Sequence, residues 1–517
     1  MTSRRWLAGY AILLMVLTSL PYLVGFGRAG TEWHFTGFVI GVDDGNSYLA
    51  KMLLGSQGDW LFRTPYTTMA QDGALVFIPF LLLGKLAGGP ALHLQLVGLF
   101  HLLRLAAIPL VVVATHRFAA RFTESHAGRG WVTVVATLGG GLGWILLFFE
   151  RGQAWGEMPL AFISPETFGF LALYAGPHLA LARGLMLLAL AGYLTGGEHG
   201  GPAWGPGLLA LATFMANPLT GVSLALVVGA HQVVLLFVKT ENPGEWRRAS
   251  LRLLLPAAPY VLYLGFAAMR DPFLQAWAVR NQILSPPPGY YLLAYGLLLP
   301  LAAAGLGRLR QRRPADWLPV AWLLITPLLA YAPVGVQRRL PEGAWVALAV
   351  LALWGLERVK SARWRKSLRL GTAGMTLPAA AILLLGGLRV AAEPAEPAFT
   401  PADRVAAYQV IAGRAQRGDV VLASFRASNE LPAWAPVRVP IGHGPESIGL
   451  EQVQEEIDRA LAAGGWVEAE RVAGRLGASW LLSERTGGAS FIDDAPPGWH
   501  AAGEWGDVVL FKRGPAP

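Results

Sequence analysis

Apolar residues along this chain come in long runs separated by short, Arg-rich polar stretches. They do not alternate with period two, as the strands of a membrane barrel would. Runs approaching or exceeding about 18 residues predict helices that cross a bilayer. They lie at Trp6–Gly27, Leu99–Ala120, Trp131–Phe149, Pro177–Thr195, Leu219–Val238, Leu253–Met269, Tyr290–Leu306, Trp317–Val334 and Leu370–Val390, and two shorter runs, Leu208–Ala216 and Ala344–Leu356, are counted with them because the spans then alternate consistently. The expected fold class is therefore an α-helical polytopic membrane protein of about 11 spans. Ala74–Ala87 is too short to cross and reads as a helix lying at the membrane surface. The first run follows the basic start Met1–Arg5 and lacks a small-x-small cleavage site. It reads as an uncleaved span rather than a signal peptide.

Charge sets the expected orientation. Arg117, Arg121 and Arg129, then Arg247, Arg248 and Arg252, then Arg308, Arg310, Arg312 and Arg313, and the basic stretch Glu357–Arg369 all fall between alternate spans. The positive-inside bias places them in the cytoplasm, with the N-terminus. The C-terminus and the first long loop (residues 28–98) are then outside, in a multi-pass protein of the cell membrane. Of the 517 residues 54% are hydrophobic and 15% charged, against about 25% charged in a soluble domain. This excludes a soluble enzyme and a disordered chain. With no Cys there is neither a disulfide nor a thiolate nucleophile. The net charge of +9 follows the loop bias and does not point to nucleic acid.

Composition changes near Ala391. Residues 1–390 form the expected transmembrane domain, and residues 391–517 a small extracytoplasmic α/β domain. Thr400 looks like an N-cap with Pro401 at the first helical position. Strand-like runs are Val420–Ser424, Val437–Ile441, Trp480–Ser483 and Val508–Phe511, with helix at about Leu450–Leu476.

Candidate chemistry concentrates outside. Gly41-Val-Asp43-Asp44-Gly45-Asn-Ser-Tyr48 puts two carboxylates beside a membrane, where burying them is costly unless they are paired. One could act as general base and the other orient it or hold a cation; the alternative is a solvated turn. Gln337-Arg338-Arg339 lies in an outer turn and suits bidentate phosphate contacts, or headgroup snorkelling. His101 and Arg104 share one helix face. Arg183, five residues after His178, sits within an apolar span and needs a polar cavity or a partner. Asp44, Glu157, Glu166 and His178 could hold a divalent cation, though no ligand spacing supports it. Trp277, Tyr290 and Tyr291 fit sugar stacking or an interfacial belt. Ser428-Asn429-Glu430 and Gly442-His443-Gly444-Pro445-Glu446 end strand-like runs, as functional loops or as turns. Gly139-Gly-Gly141-x-Gly143 fits close helix packing better than phosphate cradling.

Asp43-Asp44-x-x-x-Tyr48, then Gly58-Asp59-Trp60, Pro65-Tyr66, an interfacial helix with Pro79, and Arg104 near the start of the next span together resemble the GT-C superfamily. These are integral-membrane glycosyltransferases; protein O-mannosyltransferases and aminoarabinose lipid A transferases are nearest in plan. Those often carry Asp-Glu or a lone Glu where this chain has Asp43-Asp44. The resemblance implies a polyprenyl-phosphate sugar donor and an acidic catalytic residue in the first outer loop, with Asp43 as base and Asp44 beside it. On that plan Tyr48, Arg104, His178, Arg183, Gln337, Arg338, Arg339 and His443 would contact substrate. The acceptor is unknown. A transporter or flippase of a lipid-linked substrate, with Arg104 and Arg183 lining its path, is the alternative. It would ask for midplane sites and two related halves, and no such halves are visible.

Overall fold

The computed structural model describes residues 3–149, 156–201, 203–238, 240, 242–307, 313–462, 466–484 and 495–514. Arg308, Arg310 and Arg312 lie outside the described residues. Among those described, seven helices are long and apolar enough to cross a membrane: Arg4–Arg28, Leu92–Ala119, His126–Phe148, Pro177–His199, Pro218–Phe237, Pro243–Arg270 and Ala362–Ala392. An eighth candidate is the pair Pro288–Gly296 and Leu299–Leu306, bent by 75°. The expected count of 11 is thus not met by full-length helices. Leu208–Ala216, Trp317–Val334 and Ala344–Leu356 correspond to shorter helices, at Gly205–Ala216, Leu318–Ala330 and Ala344–Arg358.

The chain divides into two compact units. The first comprises residues 1–19, 101–265 and 282–386 and is helical. At its centre the helix Ala344–Arg358 is buried on every side from Ala344 to Leu356. This is why its sequence has no polar face. It packs backbone to backbone on Leu299–Leu306: a Cβ on Gly355 would stand 1.9 Å from the Leu301 carbonyl oxygen. Three indole N–H groups are satisfied by carbonyls, Trp345 on Val135 (2.8 Å), Trp354 on Phe122 (3.1 Å) and Trp322 on Glu342 (3.1 Å). The glycine run ends the helix His126–Leu138, and a 3-10 turn Gly143–Phe148 follows. Gly141 has φ 63°, and a Cβ there would strike the Ala294 carbonyl, so close packing accounts for the run.

The second unit comprises residues 20–100, 266–281 and 387–517. The first long loop therefore folds with the C-terminal segment. Strand β1 (Trp33–Phe35) pairs antiparallel with β2 (Phe399–Pro401), and the Thr36 amide donates to the Ala398 carbonyl. Thr400 is thus a strand residue, not the expected cap. Pro401 takes the cap position of the helix Ala402–Arg414, whose opening the long-range pairing fixes. A four-stranded sheet has the order β3-β4-β6-β5, with β3 at Val421–Leu422, β4 at Trp480–Glu484, β5 at Trp499–Trp505 and β6 at Val508–Arg513. β3 runs parallel to β4, and the other pairs are antiparallel. Successive side chains on a strand face opposite sides. Trp480, Leu482, Val508 and Leu510 accordingly meet the helix Ala402–Arg414, while Leu481, Val509 and Phe511 meet Leu450–Ala462 and Trp466–Leu476. The sheet is the middle of three layers. The expected interfacial helix is Ile78–Gly84, seven residues that pack on Val42–Ser56. Both backbones come close there: a Cβ on Gly84 would stand 1.8 Å from the Met52 carbonyl oxygen.

Candidate functional site

The paired acids open a helix. Gly41 adopts a left-handed conformation (φ 59°), and the helix Val42–Ser56 starts beyond it with Asp43 and Asp44 in its first turn. Carboxylates are favourable there, beside unpaired backbone N–H groups and the positive end of the helix dipole. Both acids are exposed, whereas Asn46, Ser47 and Lys51, one to two turns further along the same side of the helix, are buried. Gly45 lies under the Phe38 ring, where a Cβ would come within 2.5 Å.

The buried face binds this helix to the C-terminal segment. The Asn46 amide donates to Asn429 (2.8 Å), and Asn429 donates to the backbone carbonyl of Asp43 (3.2 Å). Lys51 is 1% exposed and ion-paired with Glu446 at 2.7 Å, while the Thr64 hydroxyl donates to the other Glu446 oxygen (2.5 Å). Lys51 also donates to the Ser47 hydroxyl. Burial alone would raise the Glu446 carboxyl, but Lys51 and His443 hold it below the usual carboxylate range. His443 reaches Asp44 with Nε2 at 3.0 Å; its Nδ1 lies 3.5 Å from Glu446, too far for a hydrogen bond. Asp44, His443, Glu446 and Lys51 thus form one chain of polar side chains. Among the described residues no group hydrogen-bonds to or ion-pairs with the Asp43 carboxylate.

Other expected contacts fall out differently. Tyr48 stacks on Phe80 (ring centroids 4.5 Å apart), so its ring packs within the unit. Ser428, Asn429 and Glu430 lie in the helix Phe425–Glu430 rather than at a loop tip. Trp277 also sits on a helix, Pro272–Arg280, 6.2 Å from Phe77.

The remaining candidates belong to the first unit. Arg104 is 2% exposed and donates to Thr18 (2.8 Å), Ser19 (3.0 Å) and His101 (3.2 Å). Arg183 has the partner its position demands: Glu342 at 2.6 Å, with further bonds to the carbonyls of Pro165 (2.6 Å) and Glu166. Burial pushes Glu342 up to about 7, against the opposing pull of Arg183. His178 is buried in the first turn of Pro177–His199. Gln337, Arg338 and Arg339 form a 3-10 turn. Arg339 pairs with Glu166 at 3.2 Å, and the buried Nε of Arg338 has no hydrogen-bond partner among the described residues. Burial draws Arg338 below its ordinary range, and Glu166 opposes the shift. Glu157 is exposed, and its backbone amide donates to the Tyr290 hydroxyl (2.9 Å).

Among the described residues no group of three or more His, Asp or Glu side chains could hold a metal ion. Glu166 is committed to Arg339. The cation site expected from Asp44, Glu157, Glu166 and His178 therefore finds no fitting donor set among the described residues.

Lys51 and Glu342 are not among the sequence candidates, and Glu446 is among them only as the end of the loop Gly442–Glu446. A lysine inside the apolar stretch Tyr48–Leu54 was the available signal, because such a charge must find a partner when buried. Glu342, the one acidic residue between the apolar runs Trp317–Val334 and Ala344–Leu356, was the matching signal for Arg183.

No protein-family model matches the chain, and no curated protein matches it by sequence. Solved structures do. The oligosaccharyltransferase AglB of Archaeoglobus fulgidus, solved with an inhibitory peptide and a dolichol-phosphate, aligns with TM-score 0.55 at 12% identity, over 92% of this chain and 69% of that one. ArnT from Cupriavidus metallidurans aligns with TM-score 0.51 at 13% identity over 98% of both chains. The mycobacterial arabinofuranosyltransferase AftD aligns with TM-score 0.53 at 16% identity, over 99% of this chain and 42% of that one. At such identities the likeness is one of architecture: this membrane protein has the fold of the GT-C glycosyltransferases.

Proposed function

We propose that the protein is a glycosyltransferase that moves a sugar from a polyprenyl-phosphate carrier to an acceptor hydroxyl at the outer membrane face, with Asp43 as general base. The observation that carries this reading is the unengaged carboxylate of Asp43 at the first turn of Val42–Ser56, in a chain with the fold of lipid-linked glycosyltransferases. The neighbouring acid is already held by His443. In the reaction the acceptor oxygen gives its proton to Asp43 and attacks the anomeric carbon. The bond from that carbon to the phosphate oxygen breaks, and polyprenyl phosphate leaves. Arg338, with an unsatisfied guanidinium nitrogen, has the chemistry to contact a phosphate. Arg104 and Arg183 act as structural pins, since both are held by partners in their own unit. That weakens the transporter alternative, which needed them to line a path.

The first test is consumption of donor. Detergent-solubilised protein is incubated with a panel of radiolabelled polyprenyl-phosphate sugars and a membrane extract as acceptor. One donor is expected to lose its sugar, with equimolar release of polyprenyl phosphate. Folded protein that turns over none of the panel would count against the reading.

A further inference from the structure

The first unit contains a groove that the proposed reaction does not use. Its cavity has a volume of about 820 Å³, and it lies where the helices Ser3–Arg28, His126–Leu138 and Ala362–Ala392 begin and Leu92–Ala119 ends. One wall carries Arg365, Lys366 and Arg369, with His116 opposite, and no Asp or Glu is among the lining residues. The floor is apolar, built on Trp6 and Trp131. Trp131 donates its indole N–H to the Arg369 carbonyl at 2.9 Å, which ties the apolar floor to the basic wall. Arg369 keeps a buried Nε with no hydrogen-bond partner among the described residues.

A buried guanidinium N–H without a partner costs free energy, and a cavity of one sign of charge attracts the opposite. A small soluble anion would satisfy the wall and gain nothing from the floor. A ligand with a phosphate at one end and acyl chains at the other satisfies both. All four belong to segments long and apolar enough to cross a membrane, and the basic residues lie within the first three turns of Ala362–Ala392 and the last turn of Leu92–Ala119, near the depth of lipid headgroups. We infer that this groove binds the phosphate of one anionic phospholipid, with its chains against Trp6 and Trp131. The surrounding Arg-rich termini assign the site to the cytoplasmic leaflet, and it does not depend on the transferase reading.

The test is native mass spectrometry of the full chain in a mild non-ionic detergent, with dioleoyl phosphatidylglycerol or dioleoyl phosphatidylcholine at equal concentration. One phosphatidylglycerol per chain is expected to be retained at least about tenfold more strongly than phosphatidylcholine. The triple variant Arg365→Gln, Lys366→Gln, Arg369→Gln should lose that preference, and Arg117→Gln with Arg363→Gln, outside the groove, should keep it. A Cβ on Gly130 would make only ordinary contact with Trp6, at 3.6 Å. Gly130→Leu therefore fills the groove while leaving every charge, and it should also lose the lipid. It decides the matter if the triple variant does not fold. Equal retention of both lipids, or full retention in Gly130→Leu, would overturn the inference. So would displacement by millimolar inorganic phosphate, which would reveal a free-anion site.

Discussion

Replacing Lys51 with Met removes one charge from a pair in which both partners are almost fully buried, at 1% and 3% side-chain exposure. The methionine fits the same apolar surround of Tyr48, Phe62 and Phe77, over whose rings the ammonium now lies at 5.6, 5.2 and 4.5 Å. Glu446 does not move to water, because Thr64 and Ser47 still donate to its two oxygens and its side chain is buried. Stranding a charge in this way costs about 3–5 kcal/mol. For a unit of this size, each kcal/mol shifts the unfolding midpoint by about 2–4 °C, so the expected fall is at least about 6 °C. The pH dependence should change sign as well. In the wild type Glu446 is held below its unfolded value. Its contribution is present above the unfolded pKa and is lost as the pH falls through the folded one. Without Lys51, burial dominates and raises the carboxyl, so the variant should gain stability as the pH is lowered from neutrality. The double variant Lys51→Met, Glu446→Gln should recover much of the loss, since no charge is stranded. The assay is thermal unfolding of the detergent-solubilised chain between pH 5 and 8. A drop under about 2 °C with the wild-type pH dependence would refute the reasoning.

Other expectations follow from the same geometry. Arg183→Met strands Glu342 in the first unit and should lower the unfolding midpoint, while Arg183→Met with Glu342→Gln should restore much of it; a harmless single variant would mean the pair is dispensable. Glu430 is pushed up to about 7 by burial, with Arg404 opposing, so the folded state holds its proton longer than the unfolded one. Its stabilising contribution is complete below the unfolded value and is lost as pH rises towards 7, a loss that Glu430→Gln should abolish in pH-dependent unfolding. Gly355→Leu would drive a side chain into the Leu301 carbonyl and should cost several kcal/mol or prevent folding, read as loss of monodisperse protein on size exclusion. The chain has no Cys, so Gly30→Cys offers a single label on the first long loop. Reaction with an impermeant maleimide in whole cells is expected, and labelling only after lysis would place that loop inside.

The seven full-length helices were legible because a bilayer demands apolar length, and length is visible in a sequence. The shorter helices were harder. Ala344–Arg358 is apolar because neighbours surround it, and sequence cannot distinguish that from lipid. Thr400-Pro401 imitates a helix start, and its true role depends on Trp33–Phe35, far away in the chain. β5 went unseen because Trp499–Trp505 has no β-branched residue. It forms by pairing with β6 through a turn at Gly506 (φ 50°). At the candidate site the motif Asp43-Asp44 was readable, and the different engagement of its two carboxylates was not. That required His443, about four hundred residues later, to reach Asp44.

The central claim is tested most directly by comparing Asp43→Asn with Asp44→Asn in initial rates of sugar transfer from the accepted polyprenyl-phosphate donor. The account predicts that Asp43→Asn loses about 10²–10⁴-fold at an unchanged unfolding midpoint, whereas Asp44→Asn keeps transfer within about tenfold. Near-normal rates in Asp43→Asn, or the larger loss in Asp44→Asn, would contradict it.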